Sequence, residues 1–502
     1  MHKLVEDIKA GREIRQSLIE IKDIIKEAKD EAYSTLLNMS DKDTSFITEL
    51  LKDEDAKVRK NTVQIIGLAK MNEYVDTLYE CYLKEDTLFV RPEYIKALNQ
   101  LDCDKYLDQL IDNANKLAAR TDSGVDEKHV AAELRELFAL INSHGRGEDH
   151  RFNYDLSGNS TMILTTLPGK EQYLQAAIDR VVSDGKTKLV RSGVKIESNQ
   201  YEELAKVRCY KEFMFVPDGM SKLNGQASDM AKRLIDKGLV EYLSERLLGD
   251  GLFRFYVSVK GRLSVESKAK LTKDFAREIE RLSNHRLVNS PSNYEVTLQL
   301  VGSSKVEGQY SLYLIFKGLG EGRFDYRTTS YPTSMKPYIA ALICEIISKR
   351  TGKCKQVLDP FCGVGTLLVE RAFREEHKVL TGVDIYGEAI WAASKMRDKL
   401  KMDIQYIDKD MNAFAADYIY DLILTDLPVS SPKLNGKEVR LLYERFLNKA
   451  YDWMSNEGYL AVYTGEVGIF REVLRRHKRY TILEEREIYK GKTRLYILKL
   501  TG

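Results

Sequence analysis

The sequence predicts a multidomain chain with an all-α, helical-repeat-like N-terminus, an α+β middle and an α/β, Rossmann-like C-terminus. Three observations predict this. Up to about residue 140, apolar residues recur at the three- and four-residue spacing of helices. From about 161, strand-like alternation mixes with helical stretches. After 331, short apolar strands end one after another in an acid and lead into helices, as in open α/β sheets that bind nucleotides at their strand ends. A length of 502 residues also exceeds one ordinary core.

In the first segment the helical spacing is carried by Leu18, Ile21, Ile24 and Ile25, and again by Val63, Ile66 and Leu68. One stretch repeats. Asp53-Glu54-Asp55-Ala56-Lys57-Val58-Arg59 opens an apolar helix, and Glu85-Asp86-Thr87-Leu88-Phe89-Val90-Arg91 does the same 32 residues later. A helix-pair unit buries its second face only against a stacked neighbour, so such units recur. This Asp…Val-Arg helix start resembles HEAT-type repeats; the alternative is an irregular helical bundle, and either implies a docking surface more than a catalytic unit.

Charge divides the chain too. Residues 1–159 hold 23 basic and 32 acidic side chains, a balance of −9. Residues 160–330 hold 27 and 21, and residues 331–502 hold 28 and 23. The acidic helical segment (1–140) is therefore expected to bind protein, because it repels phosphates. The polar stretch 120–160, with Asn142-Ser143-His144-Gly145-Arg146-Gly147, reads as a linker in which His144 and His150 are solvated.

Composition narrows the class. No run of 18 apolar residues marks a membrane span, and the charged start Met1-His2-Lys3 is not that of a secretory signal. Cys81, Cys103, Cys209, Cys344, Cys354 and Cys362 are scattered, without a CxxC pair. That usage suits reduced thiols in the cytoplasm and predicts neither a disulfide frame nor a metal site.

The middle, 160–330, opens with a strand at 162–167 and a helix from Glu171. It continues through an alternating strand at 253–259, a helix over 265–282, and strands at 294–300 and 310–316. The stretches TTLPGKEQYLQAAI, LAKVRCYKEFMFVP, FRFYVSVKGRLS and GRFDYRTTSYPTSMKP resemble the THUMP RNA-binding region with its preceding ferredoxin-like part. The resemblance implies that Arg254, Lys260, Arg262, Lys268, Lys270 and Lys273 face RNA. Phosphate contacts of that kind set affinity more than sequence choice; charge alone is equally satisfied by a solvated helix face.

The chemistry lies in 331–502. Val357-Leu358-Asp359-Pro360-Phe361-Cys362-Gly363-Val364-Gly365-Thr366 joins a strand to a helix, and its glycines let a ligand approach the backbone. The spacing is neither a Walker A loop nor the full dinucleotide fingerprint. Asp359 would repel a phosphate and suits a cationic amine or sulfonium, both of which S-adenosylmethionine carries. Val379–Asp384 ends in an acid placed for ribose hydroxyls. Ile404–Ile407 leads to Asp410, which can accept from an adenine amine. Tyr420–Thr425 enters Asp426-Leu427-Pro428-Val429. A strand at 459–464 and a hairpin of 481–489 with 494–500, turning at Gly491, complete a sheet expected of a methyltransferase and not of a dehydrogenase.

VLDPFCGVGTLLVE, GVDIYGEAIWAA, DLILTDLPVS and PTSMKPYIAALIC resemble the THUMP-linked class I RNA methyltransferases, many of which make N2-methylguanosine in tRNA. The resemblance implies a cofactor site of Asp359, Phe361, Gly363, Gly365, Thr366, Asp384, Ile385, Asp410 and Ser334. It also implies that Asp426 and the carbonyl beside Pro428 hold the target amine, orienting a weak nucleophile without a metal.

One residue departs from that family: Val429 stands where an aromatic usually stacks on the target base, an interaction worth about 1–3 kcal/mol. Either another ring is expected to substitute for it, with Tyr338 or Tyr443 as candidates, or the target is not guanine N2. The alternative is an RNA-binding or assembly protein whose methyltransferase domain is inactive. A methyltransferase for protein amides or small molecules is a third reading.

Overall fold

The structure is a computed structural model; it describes residues 2–501 apart from 41, 119–126, 145–149, 184, 250–251, 284–285, 328, 330–333 and 433. The three consecutive segments read from the sequence divide the linear chain. By packing, the chain forms two compact units that are each discontinuous. Met1–Asn153 joins Gly219–Leu312, and Tyr154–Asp218 joins Tyr313–Gly502.

The first unit begins with helices α1 (His2–Lys9), α2 (Ile14–Ala28), α3 (Ala32–Met39), α4 (Phe46–Leu50), α5 (Ala56–Leu68), α6 (Val75–Lys84), α7 (Arg91–Leu98), α8 (Leu107–Ala118) and α9 (Glu127–Ser143). Successive packing of α2 on α5, α5 on α7 and α7 on α9 makes one layer. Leu18, Ile21, Val63 and Ile66, which carried the periodicity, are buried in its core.

The repeat seen in the sequence has a physical basis in two arginines. Arg59 Nη1 donates to the carbonyl of Asp53 at 2.8 Å, six residues upstream, while its Nε and Nη2 hold Glu85 at 2.8 and 2.7 Å. Arg91, 32 residues later, donates from Nη1 to the carbonyl of Glu85 at 2.9 Å, again six residues upstream. Its Nε holds Glu133 at 2.8 Å. Each arginine thus closes its own turn and clasps a later segment.

The expected linker at 120–160 is corrected in part: α9 occupies 127–143, with Leu134, Leu137, Leu140 and Ile141 buried. The two histidines are not solvated. His144 Nδ1 lies 3.0 Å from the Leu140 carbonyl. The His150 side chain is shielded, with Nδ1 3.3 Å from Glu295 and its ring tilted on Phe253.

The rest of this unit places strand Phe253–Lys260 between parallel neighbours Val296–Gly302 and Leu287–Asn289. Helix Val265–Leu282 packs against Phe253–Lys260, and Ser264 caps it by accepting from Ser267 N. Arg254, expected on an RNA-facing surface, is instead buried in an ion pair with Glu295. Lys260, Arg262, Lys270 and Lys273 are exposed, and Lys268 is half-buried.

In the second unit, Ser160–Thr165, Lys186–Val190, Gly193–Ser198 and Phe213–Phe215 form an antiparallel sheet with helices Glu171–Asp179 and Tyr201–Lys206. The strand–helix–strand–strand–helix–strand order is that of a split βαβ sandwich. The larger sheet of this unit has strands β1 (Gln356–Asp359), β2 (Val379–Asp384), β3 (Gln405–Asp408), β4 (Tyr420–Asp426), β5 (Met454–Thr464), β6 (Tyr480–Glu487) and β7 (Arg494–Leu500). Their spatial order is β3-β2-β1-β4-β5-β7-β6. β1 to β5 are parallel and the β6–β7 hairpin is antiparallel, as the sequence predicted. The order reverses between β1 and β4, where α/β sheets open a crevice at their carboxyl ends.

Candidate active site

Asp359 ends β1 at that crevice and is buried. Its Oδ1 accepts from the Phe361 amide at 3.1 Å and from the Thr425 hydroxyl at 2.7 Å. Burial pushes its carboxyl up to about 7, against the pull of those two hydrogen bonds. A neutral or easily neutralised acid at this point is costly to ionise unless a cation comes to it.

The following turn needs its glycines. Gly363 has φ 53° and Gly365 φ 78°, a region that side chains enter at a cost. A Cβ on Gly363 would meet nothing, so the space above it is open. A Cβ on Gly365 would lie 2.2 Å from the Tyr406 hydroxyl. The Cys362 amide donates to the Val383 carbonyl at 3.0 Å and fastens the turn to β2.

Asp384 ends β2, and its Oδ2 accepts from the Gly363 amide at 2.8 Å while Oδ1 accepts from Tyr386 N at 3.0 Å. Two carboxylate oxygens have about four acceptor positions, so ribose hydroxyls still find sites there. Beside it Ile385 and Tyr386 are 60% and 69% exposed. The Lys409 amide donates to the Asp384 carbonyl at 3.1 Å, which brings the end of β3 to the same edge. Asp410, just beyond, is exposed and accepts through Oδ1 from Asn412 N and Nδ2. Phe361 packs edge-on against Phe446.

Two buried hydroxyls at the turn lack partners. Thr366 Oγ1 and Tyr406 OH are shielded from water and make no hydrogen bond. Orphaned buried polar groups are uncommon and costly. Tyr406 is not among the residues singled out from the sequence. Its ring fits because Gly382, its cross-strand partner, has no side chain; a Cβ there would lie 2.8 Å from it. Ser334 is half-buried and precedes the helix Pro337–Thr351; residues 331–333 lie outside the described part.

Asp426 ends β4 beside this pocket. Burial, and secondarily the negative charge of Asp359, push its carboxyl up to about 8. The Leu427 amide donates to the Tyr463 carbonyl at 2.9 Å, which fixes the Asp426-Leu427-Pro428 backbone against β5. The Pro428 carbonyl accepts from the Tyr443 hydroxyl at 2.6 Å. Tyr443 is therefore a buried support of this loop, and the expectation that it stacks on a base is corrected. Val429 is 44% exposed. Tyr338 is half-buried, and its hydroxyl lies 3.3 Å from that of Tyr489. Tyr489 N donates to Thr493 Oγ1 at 3.2 Å, next to the β5–β7 pairing that holds Tyr463. Tyr463 in turn lies opposite Asp426 in the sheet.

Comparison with known proteins agrees with this geometry. Residues 325–495 match the family described as RMKL-like, methyltransferase domain. The tRNA (guanine(10)-N2)-dimethyltransferase of Methanothermobacter thermautotrophicus is 30% identical over 139 residues, covering 26% of this chain and 39% of that protein. The chain thus spans well under half of that curated relative. Among solved structures, TrmN from Thermus thermophilus superposes with a TM-score of 0.53 at 17% identity, over 68% of this chain and 99% of that one. SMU.472, solved complexed with SAH, gives 0.52 at 15%, over 69% and 100%. These likenesses establish the class I methyltransferase fold of the C-terminal region. S-Adenosyl-L-methionine is its cofactor, and the open turn and the acid-ended strands fit it.

Proposed function

We propose that the protein is an RNA methyltransferase that modifies the exocyclic N2 amine of a guanosine in tRNA. The observation that carries this reading is Asp426, an acid at a strand end beside the cofactor pocket, with the rigid Leu427-Pro428 backbone next to it. In the free site the proton on Asp426 is held up to about 8. When ionised the carboxylate accepts one N–H of the target amine, and the carbonyl beside Pro428 accepts the other. The Tyr443 hydroxyl keeps that loop from moving.

An exocyclic guanine amine is a poor nucleophile because its lone pair is delocalised. Two fixed acceptors orient that lone pair and support the charge that develops on nitrogen. The cofactor supplies an activated methyl group. Asp359, Asp384 and the glycine turn bind and orient it. Tyr338 and Tyr489 offer rings for the base in place of the aromatic that Val429 replaces. The exposed Lys260, Arg262, Lys270 and Lys273 suit phosphate contacts in a THUMP-like region, and the acidic helical array, which we read as HEAT-like, suits a protein partner.

Incubation with methyl-labelled cofactor and unmodified tRNA, followed by digestion to nucleosides, tests this. Label in N2-methylguanosine that disappears with Asp426→Ala supports the reading. No label in any nucleoside sinks it. Val429 favours one competing reading, an RNA-binding scaffold with an idle domain; unchanged cellular RNA methylation in an Asp426→Ala strain with intact RNA binding would select it.

A further inference from the structure

Residues 1–159 carry −9, yet one face of the α2-α5-α7 layer within them gathers lysines. Gly67 on α5 lets α7 come close; a Cβ there would lie 2.9 Å from Ala97 Cα. A cavity of about 160 Å³ opens along this layer, lined by Lys22 and Lys26 from α2, Gln64 and Leu68 from α5, and Lys96 and the adjoining Gln100 at α7. Glu93 is the acid at its edge, and it is committed already, to Lys60 at 2.9 Å and to Gln64 Nε2 at 2.9 Å. Lys22 rests on neutral acceptors, Asn61 Oδ1 at 2.8 Å and Gln64 Oε1 at 3.0 Å. Burial and the neighbouring Lys26 both disfavour its charge. Among the described residues, Lys26 pairs with Asp23, 3.8 Å away at the surface. An added anion relieves this crowding of like charges.

We propose that this groove binds an acidic peptide segment of a partner protein, with carboxylates on Lys22, Lys26 and Lys96 and backbone amides on Gln64 and Gln100. Amide side chains both donate and accept, which matches a peptide backbone. A nucleic acid fits less well. No aromatic ring is among the described residues lining the cavity, so nothing there stacks a base. Packed helices lie about 8–10 Å apart. The span from α2 to α7 is then about 20 Å, or about six residues of extended chain.

Fluorescence anisotropy on the full-length protein provides the test, with a fluorescein-labelled Gly/Ser peptide carrying two Glu pairs about six residues apart. We expect salt-sensitive binding that the double variant Lys26→Glu/Lys96→Glu weakens about tenfold or more. Lys84→Glu on α6 should leave it unchanged. Circular dichroism melts of each variant show that the fold persists. Equal binding of the same peptide with Gln for Glu, or no binding of the Glu peptide, overturns the proposal. An oligouridylate that binds more tightly and is lost in the same double variant also overturns it, and makes the groove a nucleic-acid site.

Discussion

Arg208 grips Glu370 with both arms of its guanidinium, Nε to Oε2 at 2.6 Å and Nη2 to Oε1 at 2.8 Å. The carboxylate is wholly buried, and the Tyr326 hydroxyl completes its shell at 2.6 Å. Arg208 in turn is ringed by Phe324, Tyr326 and Phe373. Glu370 stands on the helix that leaves the glycine turn. The small split βαβ sheet and the cofactor turn therefore share one buried charge pair.

Truncating one partner of a buried pair leaves the other charge unpaired. Arg208→Ala is expected to cost about 3–5 kcal/mol of stability. Urea unfolding measures this. The triple change Arg208→Met/Glu370→Leu/Tyr326→Phe, which leaves no orphan, should recover most of it.

Tyr406→Phe separates stability from binding. Removing an unpartnered buried hydroxyl is neutral or stabilising in the free protein. If the cofactor satisfies that hydroxyl, affinity falls by about 0.5–1.5 kcal/mol, or up to about tenfold. Calorimetric titration and thermal melts should move in opposite directions; cofactor affinity equal to that of the parent would show that the hydroxyl faces no ligand.

Cofactor affinity should depend on pH through Asp359. Its carboxyl titrates near 7 in the free protein, and a cationic ligand prefers the ionised form. Binding then releases a proton below that point. Affinity is expected to rise up to about tenfold per pH unit as pH approaches 7 and then to level. The sign for stability is opposite. The raised folded value means that the free protein loses stability as pH climbs from about 4 to about 7. Asp359→Asn should flatten both curves.

Gly365→Ala forces a side chain into φ 78° and against Tyr406. We expect loss of measurable cofactor binding. Pairing it with Tyr406→Ala removes the clash but not the backbone strain, so binding should return only in part.

Tyr338→Ala and Tyr489→Ala test the stacking role. Loss of one base stack, about 1–3 kcal/mol, should raise KM for tRNA some five- to hundredfold with cofactor affinity unchanged. An unaltered KM in both variants would leave the base without its rings.

The parts legible in the sequence were those with local signatures. Asp359, Asp384 and Asp426 each close an apolar strand, and Gly363 and Gly365 mark the turn after the first of them, both with positive φ. What stayed hidden depended on distant partners. The burial of Arg254 follows from Glu295, 41 residues on. Tyr406 owes its place to Gly382 across the sheet. Helix α9 was obscured because glycine and charge flank its apolar run of Leu134, Leu137, Leu140 and Ile141. The two discontinuous units have no signature in sequence order at all.

The paired arginines of the helical layer give it a direction. Arg59 is held by Glu85 and Arg91 by Glu133, always by residues still to come in the chain. A polypeptide emerging N-terminus first cannot neutralise either guanidinium until the next stretch has left the ribosome. Synthesis halted between residues 91 and 133 leaves Arg91 without its acid, whereas trimming from the front strands neither. The array should tolerate loss at its beginning far better than loss at its end.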